Sequence, residues 1–118
     1  MPAATDFRLV LVTCPDLPEA RKIARAVVEK RLAACVNILT IPVESIYNWK
    51  EKVENTSEHL LLIKTSVGKL PALEKEVLRL HSYDTPEFIA ISLESGSAAY
   101  LAWLQEVLQP ELNFPSSD

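Results

Sequence analysis

The chain has 118 residues, a net charge of −4, and 48% apolar residues against 24% charged ones. That is one domain's worth of folded protein, too apolar for a disordered chain and too short for two cores. The acidic balance argues against a nucleic-acid partner, and no apolar run is long enough to cross a bilayer, so neither nucleic acid nor membrane is expected.

A single domain over 1–118 follows, with its body at about 7–108 and a loose tail over 110–118. Residues 1–6 have neither a positive region nor an apolar one, so no export signal is expected. Two cysteines without such a signal fit a reducing, cytoplasmic setting. Residues 7–13 are almost continuously apolar and β-branched, which predicts a central strand buried on both faces. Asp16-Leu17-Pro18-Glu19 is an acidic variant of the capping box with proline in the first turn. Ala20, Ile23, Ala24, Val27 and Val28 follow at helical spacing, so this helix should run to about Leu32. Its basic residues, Arg21 to Arg31, are interleaved with Glu19 and Glu29 as on a solvated face.

From Cys35 to Trp49 the pattern is β again. Pro42 cannot donate to a ladder, so this strand is bulged there or lies at an edge. Lys50-Glu51 is a tight turn, and a second arm returns over 52–65. Arms of roughly a dozen residues reach ~40 Å, farther than a domain this size covers. An uncovered hairpin exposes backbone edges that are either disguised or paired with another chain, so an oligomer is expected. A second helix is expected over 68–80, with Pro71 in its first turn and Leu70, Leu73, Val77 and Leu80 inward. A last core strand over 87–94 and a final helix over 98–108, capped by Ser97 and stopped by Pro110, complete the chain.

The order β-α-β-β-α-β plus a terminal helix is the α+β, ferredoxin-like arrangement. Right-handed crossovers put the first and third strands in the middle and the last strand on an edge. Cys14 and Cys35 then fall at opposite ends of the sheet, ~20 Å or more apart, too far for a disulfide. Cys14 instead shares a rim with the segment from His81 to Glu87, and the hairpin tip near Trp49 points there too. Cys14, His81 and Glu87 together make a candidate site for a soft or borderline metal ion. The bland readings stand beside it: Cys14 as a strand-end filler, His81 as a helix C-terminal cation, Glu87 as a surface residue. His59 reads as a sheet-edge residue. Tyr47, Trp49, Tyr83 and Trp103 could line a pocket or an oligomer interface. No phosphate loop or nucleophile elbow is present; a Cys14–His81 nucleophile pair is conceivable but lacks a visible orienter, and no enzymatic activity is expected.

Several blocks go beyond this generic pattern. Val12-Thr13-Cys14-Pro15-Asp16, the run Lys30 to Asn37, Ser45 to Lys50, Leu62-Ile63-Lys64-Thr65, His81 to Glu87 and Tyr100 to Leu104 are co-linear. Together they resemble the CutA family of divalent-cation tolerance proteins over about Phe7 to Leu108. The resemblance implies a ferredoxin-like, PII-like subunit in a tight homotrimer joined by the long hairpins. It also implies a cytosolic role in tolerance to divalent metals, copper foremost, with no organic cofactor and no established reaction. His81 matches the family histidine associated with copper binding, Glu87 the glutamate closing that block, and Cys14 the cysteine of a Thr-Cys-Pro segment. Two positions depart: the family proline after the histidine is Ser82, and a hairpin-turn glycine is Glu51. The rival class is a PII-like signalling or scaffold trimer binding a small molecule or protein partner in its inter-subunit clefts. An acylphosphatase-type enzyme would need an arginine-bearing loop where Cys14-Pro15-Asp16 stands. An RNA-recognition module would need exposed aromatics on the central strands.

Overall fold

A computed structural model describes residues 5–109. The tail over 110–118, with the expected helix stop at Pro110, lies outside the described residues. Strand β1 (Phe7–Cys14) leads into helix α1 (Leu17–Glu29), then β2 (Cys35–Ile38), β3 (Val43–Trp49) and β4 (Lys52–Ser66). A short 3₁₀ turn (Val67–Lys69), helix α2 (Leu70–Leu80), β5 (Ile89–Ser92) and α3 (Ala98–Leu108) follow. The sheet order is β2-β4-β1-β5 with every neighbouring pair antiparallel, and β3 continues beside β4. This is the expected ferredoxin-like α+β topology, with β1 and β4 in the middle.

The caps are those that the side chains dictate. Asp16 holds an extended backbone and its carboxylate accepts the Glu19 amide at 2.9 Å, while Ser97 accepts that of Tyr100 at 3.3 Å. Helix α1 ends at Glu29, short of the expected Leu32, because Arg31 turns left-handed (φ 58°). The amides of Leu32 and Ala33 then close back on the Val27 carbonyl.

Alternation along β1 sends Val10, Val12 and Cys14 into the main core, where they meet Ile23 and Val27 of α1, Leu61 and Ile63 of β4, and Leu73 and Val77 of α2. Phe7 faces the other way, against Leu104 and Leu108 of α3. That second layer is partial. Leu9 and Leu11 are only half-buried, so β1 is not fully covered on both faces. The last strand departs further from expectation: β5 has four residues, and Ile89 and Ile91 remain 49% and 44% exposed on this edge.

The first hairpin arm breaks where Pro42 requires it. The β2–β4 register steps by two residues before β3 resumes the pairing, because 39–42 stand opposite only His59 and Leu60. His59 Nδ1 donates to the Leu39 carbonyl at 2.9 Å, which caps the break. A two-residue step leaves the side-chain parity unchanged. The hairpin therefore keeps two distinct faces, one with Ser45, Tyr47, Trp49 and Glu58, the other with Ile46, Val53 and Asn55.

Candidate metal centre

Topology brings the ends of β1 and α2 and the start of α1 to one rim. Cys14 Sγ, a Glu19 carboxylate oxygen and a His81 ring nitrogen lie within 4.8 Å of one another. Each is placed by a local rule. Cys14 is the last inward position of β1, Glu19 is in the first turn of the helix that starts three residues later, and His81 is the C-cap of α2. Cys14 and His81 are buried and Glu19 is half-buried.

The hydrogen bonds fix the state of the imidazole. Nε2 lies 2.8 Å from the Thr13 carbonyl, which can only accept, so Nε2 carries the proton. Nδ1 accepts the Tyr83 amide at 3.1 Å and lies 3.3 Å from Glu19 Oε2. That same oxygen accepts the Ser82 amide at 3.0 Å. The thiol of Cys14 is pushed up to about 12, first by burial and then by the charges of Glu19, Asp16 and Glu58. It is therefore a protonated thiol in an electronegative pocket, and the Cys14–His81 pair lacks the free imidazole lone pair that a nucleophile's base requires.

Thiol and imidazole select copper or zinc over magnesium or calcium, and a carboxylate is a donor that both kinds of ion accept. The donor set fits such an ion on two conditions. The amides of Ser82 and Tyr83 now occupy lone pairs that an ion would take, and the thiol would give up its proton. When bound, a divalent ion supplies the positive charge those amides now supply in part.

Glu87 falls elsewhere. It lines an adjacent cleft of about 530 Å³ with Glu58, Tyr47, Trp49, Tyr83 and Asp84. Thr13 lines this cleft as well, while its neighbour Cys14 faces the helices, so the end of β1 separates cleft from cluster. Tyr83 joins them: its hydroxyl donates to Glu58 at 2.8 Å, and its ring centroid is 4.8 Å from that of His81. Three of the four aromatic residues picked from the sequence meet here. Trp103 instead lies on α3 against Tyr100, ring centroids 5.6 Å apart. Glu19 is the residue that sequence reasoning missed. Its signal was available, since a helix capped by Asp16 must begin on the rim where Cys14 ends.

The features define a class: a ferredoxin-like fold with an uncovered hairpin and a thiol–carboxylate–imidazole rim. A family described as CutA1 divalent ion tolerance protein matches residues 8–107. Protein CutA of Mus musculus is 48% identical over 102 residues, 86% of this chain and 57% of that one. The Divalent-cation tolerance protein CutA of Thermus thermophilus is 46% identical over 98 residues, 83% of this chain and 94% of that one. The crystal structure of CutA from Xylella fastidiosa superposes with a TM-score of 0.85 at 41% identity, covering 89% of this chain and 100% of that one. The chain belongs to the CutA family. It spans about half the length of the mammalian relatives, 57%, 54% and 54% of the mouse, human and bovine proteins.

Proposed function

We propose that this chain is a non-enzymatic divalent-cation tolerance protein that works as a homotrimer and binds copper or a similar ion at its rim. The observation that carries the metal half is the convergence of Cys14, Glu19 and His81 within 4.8 Å. These donors suit a soft or borderline ion, and two further carboxylates, Asp16 and Glu58, bias the same spot toward positive charge. Glu87, expected from the sequence as a third ligand, lines the neighbouring cleft and lies outside the cluster of Cys14, Glu19 and His81. The names of two similar proteins, those of Thermus thermophilus and Archaeoglobus fulgidus, state divalent-cation tolerance.

Titration of Cu(II) into the protein against a colorimetric chelator tests the reading. Near-isosteric Cys14→Ser and Glu19→Gln should each weaken the ion by about tenfold or more. Affinities equal to wild type in both variants would remove the cluster from metal binding. Circular dichroism of each variant shows whether a loss reflects the ligand or the fold.

A further inference from the structure

The cleft between the hairpin and the loop after α2 has a chemistry that the metal cluster does not use. At about 530 Å³ it is within the usual size of a small-molecule site. Tyr47, Trp49 and Tyr83 wall it, and Glu58, Asp84 and Glu87 bring carboxylates to it; among the described residues no lysine or arginine lines it.

Glu58 is only 6% exposed. It accepts the Tyr83 hydroxyl, yet none of the ion pairs among the described residues reaches it or Glu87. A buried carboxylate is costly without a counter-charge, and one hydroxyl offsets that cost only in part. The Glu87 carboxyl is pushed up, first by burial and then by the charge of Glu58. Two acids here lack a shared cation. The aromatic wall is also one to which cations are drawn: Lys50 Nζ lies 5.9 Å from the centroid of the Trp49 ring.

These features select a ligand class. A bare metal ion would use the carboxylates and leave the aromatic wall idle. An uncharged apolar ligand would use the wall and leave the acids unpaired. We infer that the cleft binds a substituted ammonium ion, its charge between Glu58 and Glu87 and its alkyl groups against Trp49, Tyr47 and Tyr83. The site lies on the opposite side of β1 from the cluster and stands independently of the metal reading.

The test is an NMR titration of the full-length protein with choline and, in parallel, with 3,3-dimethylbutan-1-ol, its uncharged carbon counterpart. Excess EDTA is present throughout. Saturable shifts at the Trp49 indole are expected with choline, at an affinity about tenfold or more above the alcohol's. Trp49→Leu and Glu87→Gln should each weaken choline several-fold; both positions are exposed enough for the variants to fold. Equal affinity for choline and the alcohol would overturn the inference, as would choline binding untouched by both substitutions. Absence of saturable shifts at millimolar choline would overturn it as well.

Discussion

Ser82 illustrates how one residue can set the state of a site. Its amide donates to Glu19 Oε2, and that bond exists only because residue 82 is not proline, the residue expected there from the family pattern. The amide keeps an acceptor of the cluster occupied. In Ser82→Pro the N–H is gone and the Glu19 oxygen is left to a cation. Cu(II) affinity should rise by about tenfold, the worth of one hydrogen bond to a charged acceptor. Chelator competition measures this, and an affinity that stays level or drops means the amide does not compete. Glu76 makes a different residue-scale point. It is almost buried on α2, and Arg79 and Lys30 reach its carboxylate at 2.8 and 2.9 Å. The hydrogen bond from Arg79, then that from Lys30, hold its carboxyl down to about 2 from 4.5. A carboxyl lowered by folding stabilises the fold above its unfolded value and loses that contribution as pH falls through the folded one. Glu76→Gln should therefore lower the melting temperature at neutral pH, with the gap to wild type closing between 4.5 and about 2. A gap that is constant across this range would assign the loss to packing.

At the scale of elements, what was legible follows from what is local. Helix starts were readable because Asp16, Ser97 and the prolines act on their own turns. The break at Pro42 was readable for the same reason, but not its size, since a two-residue step depends on how β4 is paired on its other side. The short, exposed β5 was misread as a core strand because alternating Ile89 and Ile91 show that one face wants burial, not what buries it. Glu19 was missed because it was read as part of a helix face, not as part of a rim. The hairpin turn carries a cost that the sequence did announce. Lys50 and Glu51 have φ of 52° and 68°, the paired left-handed conformation of a two-residue hairpin turn. Asn48 Oδ1 accepts the Glu51 amide at 3.1 Å and helps hold it there. Glu51→Gly should stabilise the protein by about 1 kcal/mol, because glycine adopts this conformation without a Cβ penalty. Chemical denaturation decides the point, and a destabilised variant would show that contacts of the Glu51 side chain outweigh the strain of its backbone.

Over the whole molecule the hairpin dominates the shape. The fold measures 53 × 41 × 24 Å, and the 15 residues of β4, at about 3.3 Å each, reach about 50 Å, nearly the length of the long axis. Within β4 only residues 61–64 pair with a strand on both sides, β1 and β2. Residues 52–58 pair with β3 alone, so among the described residues one backbone edge of that stretch is open. On the hairpin face that carries Ile46 and Val53 these two are 65% and 76% exposed, Ile46 also touching the cleft, and Ile41 near the break is 81% exposed. An edge with free amides beside apolar side chains is the surface that a second strand covers. The unfinished burial of Leu9, Leu11, Ile89 and Ile91 fits the same account, for these are sheet positions that a neighbouring subunit can close. Sedimentation at micromolar concentration should give a trimer. Its melting temperature should fall on dilution, because subunits that bind only folded partners stabilise the fold by mass action. Placing charges in that face with Ile46→Asp and Val53→Asp should shift the sedimenting species toward monomer and remove the concentration dependence. A wild-type monomer with a melting temperature independent of concentration would show that the hairpin is shielded by some other means.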